Sequence, residues 1–161
     1  MRILEVVVLA GALATLGCAS AYDQAYEQET QRLEAEKRQR DAQERAAHAE
    51  ARKYAAVIYF DVGSAVIKEQ GYRELTWFVQ KMRPYPKVII QVQGFADSTG
   101  GDTLNQNLSE ERAAAVARYL TSQGIQSSRL AVQGFASEFP AGANESAQGR
   151  LNNRRVEVTV R

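Results

Sequence analysis

The 161-residue sequence has one cysteine, Cys18, and one histidine, His48. A disulfide framework, a zinc cluster and a histidine-based catalytic triad therefore all lack their parts. Any chemistry must rest on carboxylates, hydroxyls and guanidiniums. Long apolar runs are also missing: the stretch from Val6 to Leu16 falls short of the roughly 20 residues that span a bilayer as a helix. Neither sign of charge prevails, with 20 basic against 19 acidic residues and no basic block. A nucleic-acid binder normally concentrates positive charge on one face, so that class is excluded. The length leaves room for one core of roughly 100 to 150 residues plus attachments, and none for a second catalytic domain.

The N-terminus has Arg2 ahead of the apolar run and small residues after it, the pattern of an export signal over residues 1–17. Leu16-Gly17-Cys18 resembles the lipobox of bacterial lipoproteins, although Thr15 stands where leucine is usual and Glu5 weakens the positive start. That resemblance implies cleavage before Cys18 and attachment of acyl chains such as palmitate to its sulfur. With Ala19 rather than aspartate next, it also implies the outer membrane, facing the periplasm. The plain alternative is an ordinary signal peptide with an incidental cysteine. Each buried methylene of a lipid adds about 0.8 kcal/mol to anchoring.

Residues 18–53 are rich in Ala, Glu, Gln, Arg and Lys, with no glycine or proline, a helix-favouring composition. Glu34 with Arg38 and Asp41 with Arg45 are acid-before-base pairs at i,i+4. No heptad of large apolar residues is sustained, so the segment reads as a solvated helical spacer of up to roughly 50 Å, with a coiled-coil dimer as the lesser option. His48 is a surface residue of that helix.

From Tyr54 the texture changes. Residues 56–60, 87–95, 129–135 and 155–161 are rich in β-branched and aromatic side chains and read as strands. In the last, Val156, Val158 and Val160 alternate with Arg155, Glu157 and Thr159, so Arg155 is expected to head a wetter face. Two helices lie between the strands. Leu75, Phe78, Val79 and Met82 stripe the first, and Ala113, Val116, Ala117 and Leu120 the second. Pro84 and Pro86 stop the first, and Gly124 with Ile125 caps the second. Trp77 falls off its stripe, either as a contact surface or, more often for such residues, as a half-buried flank. The order β-α-β-α-β-(loop or short helix)-β over residues 54–161 predicts an α/β (α+β) two-layer sandwich, its helices on one face of a mixed sheet, preceded by the long charged helix.

VQGFAD at 92–97 reappears as VQGFAS at 132–137. Two copies are too few for a solenoid, so the shared letters mark equivalent strand ends. After the first copy come Ser98, Thr99, Gly100, Gly101 and Asp102, a loop whose backbone N–H groups can face a ligand. Ser109 suits an N-cap for the second helix, placing Arg112 near its third position, where a guanidinium and helix N–H groups favour the same anion. Asp97 at the strand end offers the opposite charge, and the two can grip an amino acid's ammonium and carboxylate together. On spacing alone a simple Asp97–Arg112 surface bridge is favoured over that grip. A carboxylate pair of Asp97 and Asp102 for glycoside hydrolysis is a third, weak reading, because loop aspartates more often make turns.

Residues from about Val57 to Arg161 resemble the OmpA-like domain, the peptidoglycan-binding module of outer-membrane porin-type proteins, peptidoglycan-associated lipoproteins and flagellar stator subunits. The resemblance is carried by Tyr59-Phe60-Asp61 with Gly63-Ser64, Gly94 to Gly100, Asn105 to Ala113, Gly134 to Glu138, and Asn153-Arg154-Arg155-Val156-Glu157. It implies that Asp97 binds the free ammonium, and Arg112 the free carboxylate, of the diaminopimelate side group in the stem peptide. It further implies that Ser98, Thr99, Gly100, Asn105, Leu108 and Ser109 shape the loop and helix start. Arg154 and Arg155 read as structural or rim charges, because Arg155 heads the outward face of the last strand. Phe95-Ala96 stands where the family most often has His-Thr, which is expected to weaken binding or alter muropeptide preference.

The sequence thus reads as a non-enzymatic lipoprotein that holds peptidoglycan, tethered to the outer membrane through lipid on Cys18, with no cofactor or metal. Its rivals are a wall hydrolase, which lacks its catalytic groups, and a stator, which lacks a membrane span with an acid. A regulatory or scaffold lipoprotein whose N-terminal helix binds an envelope protein partner stays open. The sequon Asn144-Glu145-Ser146 is discounted because the lipobox implies a bacterial context.

Overall fold

A computed structural model describes residues 18–161 of the chain; the expected export signal, residues 1–17, lies outside them. Contacts divide the chain into two units, Met1–Arg45 and Ala46–Arg161. Helix α1 runs from Cys18 to Ala51. Over residues 21–45 every side chain is exposed, and Glu34 pairs with Arg38 at 3.2 Å as the spacing requires. In the second unit the last turn of α1 contributes Ala51, fully buried, to the core.

The remaining elements are β1 (Ala56–Tyr59), α2 (Glu69–Met82), β2 (Ile90–Gly94), α3 (Asp102–Ser122), a 3-10 turn (Ser127–Arg129), β3 (Leu130–Gly134), α4 (Ala147–Asn153) and β4 (Arg155–Val160). The sheet order is β1-β4-β2-β3, with β4 antiparallel to both neighbours and β2 parallel to β3. Parallel neighbours need a crossover, and α3 supplies it between β2 and β3. This is the mixed sheet and two-layer arrangement that the element order predicts.

The predicted stripes form the core. Leu75, Phe78, Val79 and Met82 of α2 and Ala113, Val116 and Leu120 of α3 are buried with Ile58, Ile90, Val92, Val156 and Val158 of the sheet. Each fully buried Leu, Ile, Val or Phe contributes about 1.5–3 kcal/mol relative to exposure. Pro84 follows directly on the C-cap Arg83 of α2, where its ring forbids another turn. At the end of α3, Gly124 has φ +93°, and the Ile125 N–H donates to the Leu120 carbonyl while its side chain is buried. Trp77 stays 41% exposed, with Tyr54 edge-on at 6.0 Å.

Three expectations need correction. Ser109 is not an N-cap: α3 starts seven residues earlier at Asp102, capped by Gly101, because Gly100 with φ +98° turns the chain early enough for Asp102 to Leu108 to join the helix. Arg112 is therefore well inside α3, away from the helix start. Arg155 does not head a wet face; it is buried, its guanidinium 4.1 Å from the centre of the Phe95 ring.

The repeated stretches lie side by side in register, Val92 opposite Val132, Gln93 opposite Gln133 and Gly94 opposite Gly134. Ser109, fully buried, explains why both copies carry glycine. A Cβ on Gly94 would lie 2.0 Å from the Ser109 carbonyl oxygen, and one on Gly134 2.5 Å from the Ser109 hydroxyl. Helix α3 thus crosses both strand ends at a distance only glycine permits. Gly94→Ala is expected to cost about 3 kcal/mol through overpacking against backbone and to lower the unfolding midpoint by roughly 10 °C or more, measurable by thermal denaturation of the full chain.

Candidate functional site

The ends of β1 and β2 and one face of α3 enclose a cleft of about 240 Å³. Val62 and Gly63 after β1, and Asp97, Thr99 and Gly100 after β2, form one side. Leu104, Asn105, Leu108 and Arg112, at helical spacing on α3, form another, and Arg154 closes the cleft just before β4. Of the residues the sequence singles out, the fold thus gathers Asp97, Thr99, Gly100, Asn105, Leu108 and Arg112. Ser98 and Ser109 stand outside the lining, as does Asp102, which removes the carboxylate-pair reading.

Asp97 and Arg112 do not pair with each other. The Asp97 carboxylate, 4% exposed, receives Arg154 Nη1 on Oδ2 at 2.8 Å. On Oδ1 it receives the Thr99 N–H at 2.9 Å and the Thr99 hydroxyl. A carboxylate has about four acceptor sites, so one remains for a further donor. Burial alone would push its pKa up, but the bonds from Thr99 and Arg154 outweigh it and hold the carboxyl below its ordinary value of 3.8.

Arg112 is the largest fully buried side chain among the described residues. Its Nε donates to the Ser64 carbonyl at 2.9 Å, Nη1 to the Phe95 carbonyl at 3.0 Å and Nη2 to the Asp61 carbonyl at 2.9 Å. A guanidinium has five N–H donors, so two remain on the group that lines the cleft. Burial pushes its pKa down to about 10; nearby Asp97 raises it and Arg154 lowers it. It stays charged at neutral pH.

Sequence reasoning missed or underrated two residues. Arg154, treated as structural or rim, is only 8% exposed and reaches both Asp97 and, through Nε, the Phe60 carbonyl at 3.2 Å. The signal for it was the Asn153-Arg154-Arg155 stretch, where nothing distinguished the inward arginine from its neighbour. Asn105, treated as a support, is 3% exposed and lines the cleft, and among the described residues no group hydrogen-bonds its carboxamide. A buried amide without a protein partner facing a cavity is a place for a ligand atom or water. Phe95 and Ala96, in contrast, lie outside the lining: the Phe95 ring stacks on Phe135 at 5.6 Å under the Arg155 guanidinium. That departure touches the cleft through the backbone alone, where the Phe95 carbonyl holds Arg112 Nη1 at 3.0 Å.

With two guanidiniums, one carboxylate and an open amide, the cleft suits a zwitterion whose carboxylate meets arginine and whose ammonium meets Asp97. Leu104, 62% exposed, and Val62, 70% exposed, give it an apolar rim. The OmpA family model matches residues 59–154, which include every residue of this lining. The chain belongs to the OmpA family. It is 42% identical over 103 residues to the probable lipoprotein YiaD of Escherichia coli K12, a match covering 64% of this chain and 47% of that protein. It is 33% identical over 103 residues to the peptidoglycan-binding protein ArfA of Mycobacterium bovis, covering 64% of this chain and 32% of that one. The fold matches the crystal structure of the peptidoglycan-associated lipoprotein from Burkholderia pseudomallei with TM-score 0.63 and 25% identity, over 66% of this chain and 90% of that one. The chain therefore spans about half, or less, of the length of these two curated relatives. Among the described residues, no helix is long and apolar enough to cross a membrane.

A carboxyl held below its ordinary value contributes stability that is fully present above pH 3.8 and lost as pH falls through the folded-state value. Asp97→Asn is expected to be less stable than the parent at neutral pH by on the order of 2 kcal/mol, since it leaves the buried Arg154 charge without its partner. The difference should shrink once acid protonates the parent carboxyl. Urea midpoints of both proteins across the acid range check this.

Proposed function

We propose that this OmpA-family protein binds peptidoglycan non-covalently through the diaminopimelate side group of the stem peptide, without catalysis. The observation that carries the reading is the pairing, in one cleft, of a carboxylate with a free acceptor site and a buried guanidinium with two free donors. In it, Asp97 takes the ligand's ammonium and Arg112 its carboxylate. Asn105 donates or accepts beside them, and Leu104 and Leu108 cover the methylenes of the arm that carries both charged groups. Thr99 and Arg154 hold Asp97, and Gly100 makes the turn into α3. The names of ArfA and the peptidoglycan-associated lipoprotein support wall binding, and those of YiaD and the peptidoglycan-associated lipoprotein support a lipoprotein.

The sequence pattern at residues 16–18 adds the rest of the proposal: lipid on Cys18 anchors the protein in the outer membrane facing the periplasm. In this reading the helix from residue 18 is a spacer, and 54–161 is the wall-binding domain. A second reading has its own observation. Tyr22, Tyr26 and Leu33 of α1 are 52%, 66% and 52% exposed, a surface on which an envelope protein partner could act, with wall binding secondary.

Co-sedimentation of the full chain, purified in detergent, with sacculi containing meso-diaminopimelate tests the main reading. The parent should pellet with sacculi and be displaced by free diaminopimelate. Asp97→Asn, which keeps the shape but removes the charge, should bind at least about tenfold more weakly, the scale of one charge-assisted hydrogen bond. A parent that stays in the supernatant, or an asparagine variant that binds equally well, overturns the two-charge grip.

A further inference from the structure

The second copy of the repeat leads into a segment that returns to the first. Phe135 donates its N–H to the Gly94 carbonyl at 2.9 Å, and Ala96 donates to the Ala136 carbonyl at 2.7 Å. Ala136 adopts φ +43°, the only positive value for a non-glycine among the described residues. From there residues 137–146 run back to the turn that carries Asp97. The Asn144 side-chain oxygen accepts the Ser98 N–H at 3.0 Å and Asn153 Nδ2–H at 2.8 Å. Since both neighbours are donors, the oxygen rather than the nitrogen must face them.

Asn153, fully buried, fixes that segment in turn. Its oxygen accepts the Ala141 and Gly142 N–H groups at 2.7 and 2.8 Å, and its amide also donates to the Gly142 carbonyl at 2.9 Å. Arg150 Nη1 holds the Asn144 carbonyl at 2.7 Å. Asn144 is thus anchored from behind and presents one oxygen to the turn. Ser98, its target, lies between Asp97 and Thr99, whose N–H and hydroxyl hold one oxygen of the Asp97 carboxylate while Arg154 holds the other.

We propose that Asn144 is a positioning residue of the cleft: it fixes the Ser98 amide, and through it the 97–100 turn, so that Asp97 points its free acceptor site at the ligand. Asn144 does not line the cleft, and its effect is transmitted through the backbone alone. The inference rests on the wall-binding reading.

The test compares the full chain with Asn144→Ala and Asn144→Asp, by co-sedimentation with meso-diaminopimelate sacculi, by thermal unfolding, and by hydrogen exchange of the Ser98 amide. Aspartate keeps an oxygen toward Ser98 and Asn153, and alanine does not. The alanine variant should bind about tenfold more weakly and exchange the Ser98 amide faster, while the aspartate variant stays within about twofold of the parent in binding. Equal loss in both variants, in step with equal loss of thermal stability, overturns the proposal, as does unchanged exchange at Ser98. If the parent pellets and the alanine variant pellets equally, the positioning role fails alone. If the parent does not pellet, the wall reading fails and takes this inference with it.

Discussion

The guanidinium of Arg112 is the constraint on which the domain and its cleft both depend. Burying a bare arginine costs several kcal/mol, and leaving strand-end carbonyls dry and unpaired costs more. Here each problem removes the other: three N–H groups meet the carbonyls of Asp61, Ser64 and Phe95, with the Phe60 ring 5.4 Å away. The side chain thereby ties α3 to the loop after β1 and to the residue after β2. The remaining two donors are thereby fixed in direction at the cleft, the kind of pre-ordering that lowers the entropy cost of binding. A surface arginine could offer the same charge but not the same fixed direction.

The repeat follows from the same geometry. Because β2 and β3 are parallel and in register, one helix can lie across both strand ends, and Ser109 is the residue at the crossing. Its hydroxyl accepts the Ala136 N–H at 3.0 Å and donates to the Gln106 carbonyl at 2.8 Å. Of the shared Val-Gln-Gly-Phe-Ala letters, the glycine is what this crossing requires of each strand. The differing last letter separates their tasks. Asp97 opens the cleft, while Ser137 begins the segment that braces it. The aromatic residues of both copies are spent on each other, Phe95 against Phe135 and both against Phe139, and none of them lines the cleft.

Much of the fold was legible in the sequence because it rests on periodicity. Val156, Val158 and Val160 announce a half-buried strand, and the stripe from Leu75 to Met82 announces a helix with one apolar face. Asp97, as a charge at a strand end before a glycine loop, was legible too. The start of α3 was not. Ser109 followed by two glutamates imitates an N-cap, and only the tertiary closeness of Gly94 and Gly134 shows why a small hydroxyl is needed inside the helix. Arg154 and Arg155 were unreadable for a related reason. Arg154 ends the short helix α4 and Arg155 opens β4, and both are covered, one by Asp97 and the other by Phe95. Pattern assigns a side to a residue; it does not say whether something covers that side.

The charge balance of the cleft narrows what it can hold. Arg154 is already matched with Asp97 at 2.8 Å, so an ammonium ligand alone would crowd a carboxylate that has a guanidinium beside it, and Arg112 would remain without a counter-ion. An anion alone would satisfy Arg112 but leave the last acceptor site of Asp97 empty and repel its charge. A zwitterion avoids both costs, because each end answers the charge that the other end would leave exposed. The apolar rim from Val62 and Leu104 favours a ligand whose two charged groups sit at the end of a hydrocarbon arm rather than a free ion. The proposed grip calls for no large interface, since the ordering of the cleft's own groups was completed when Arg112 and Asp97 were buried.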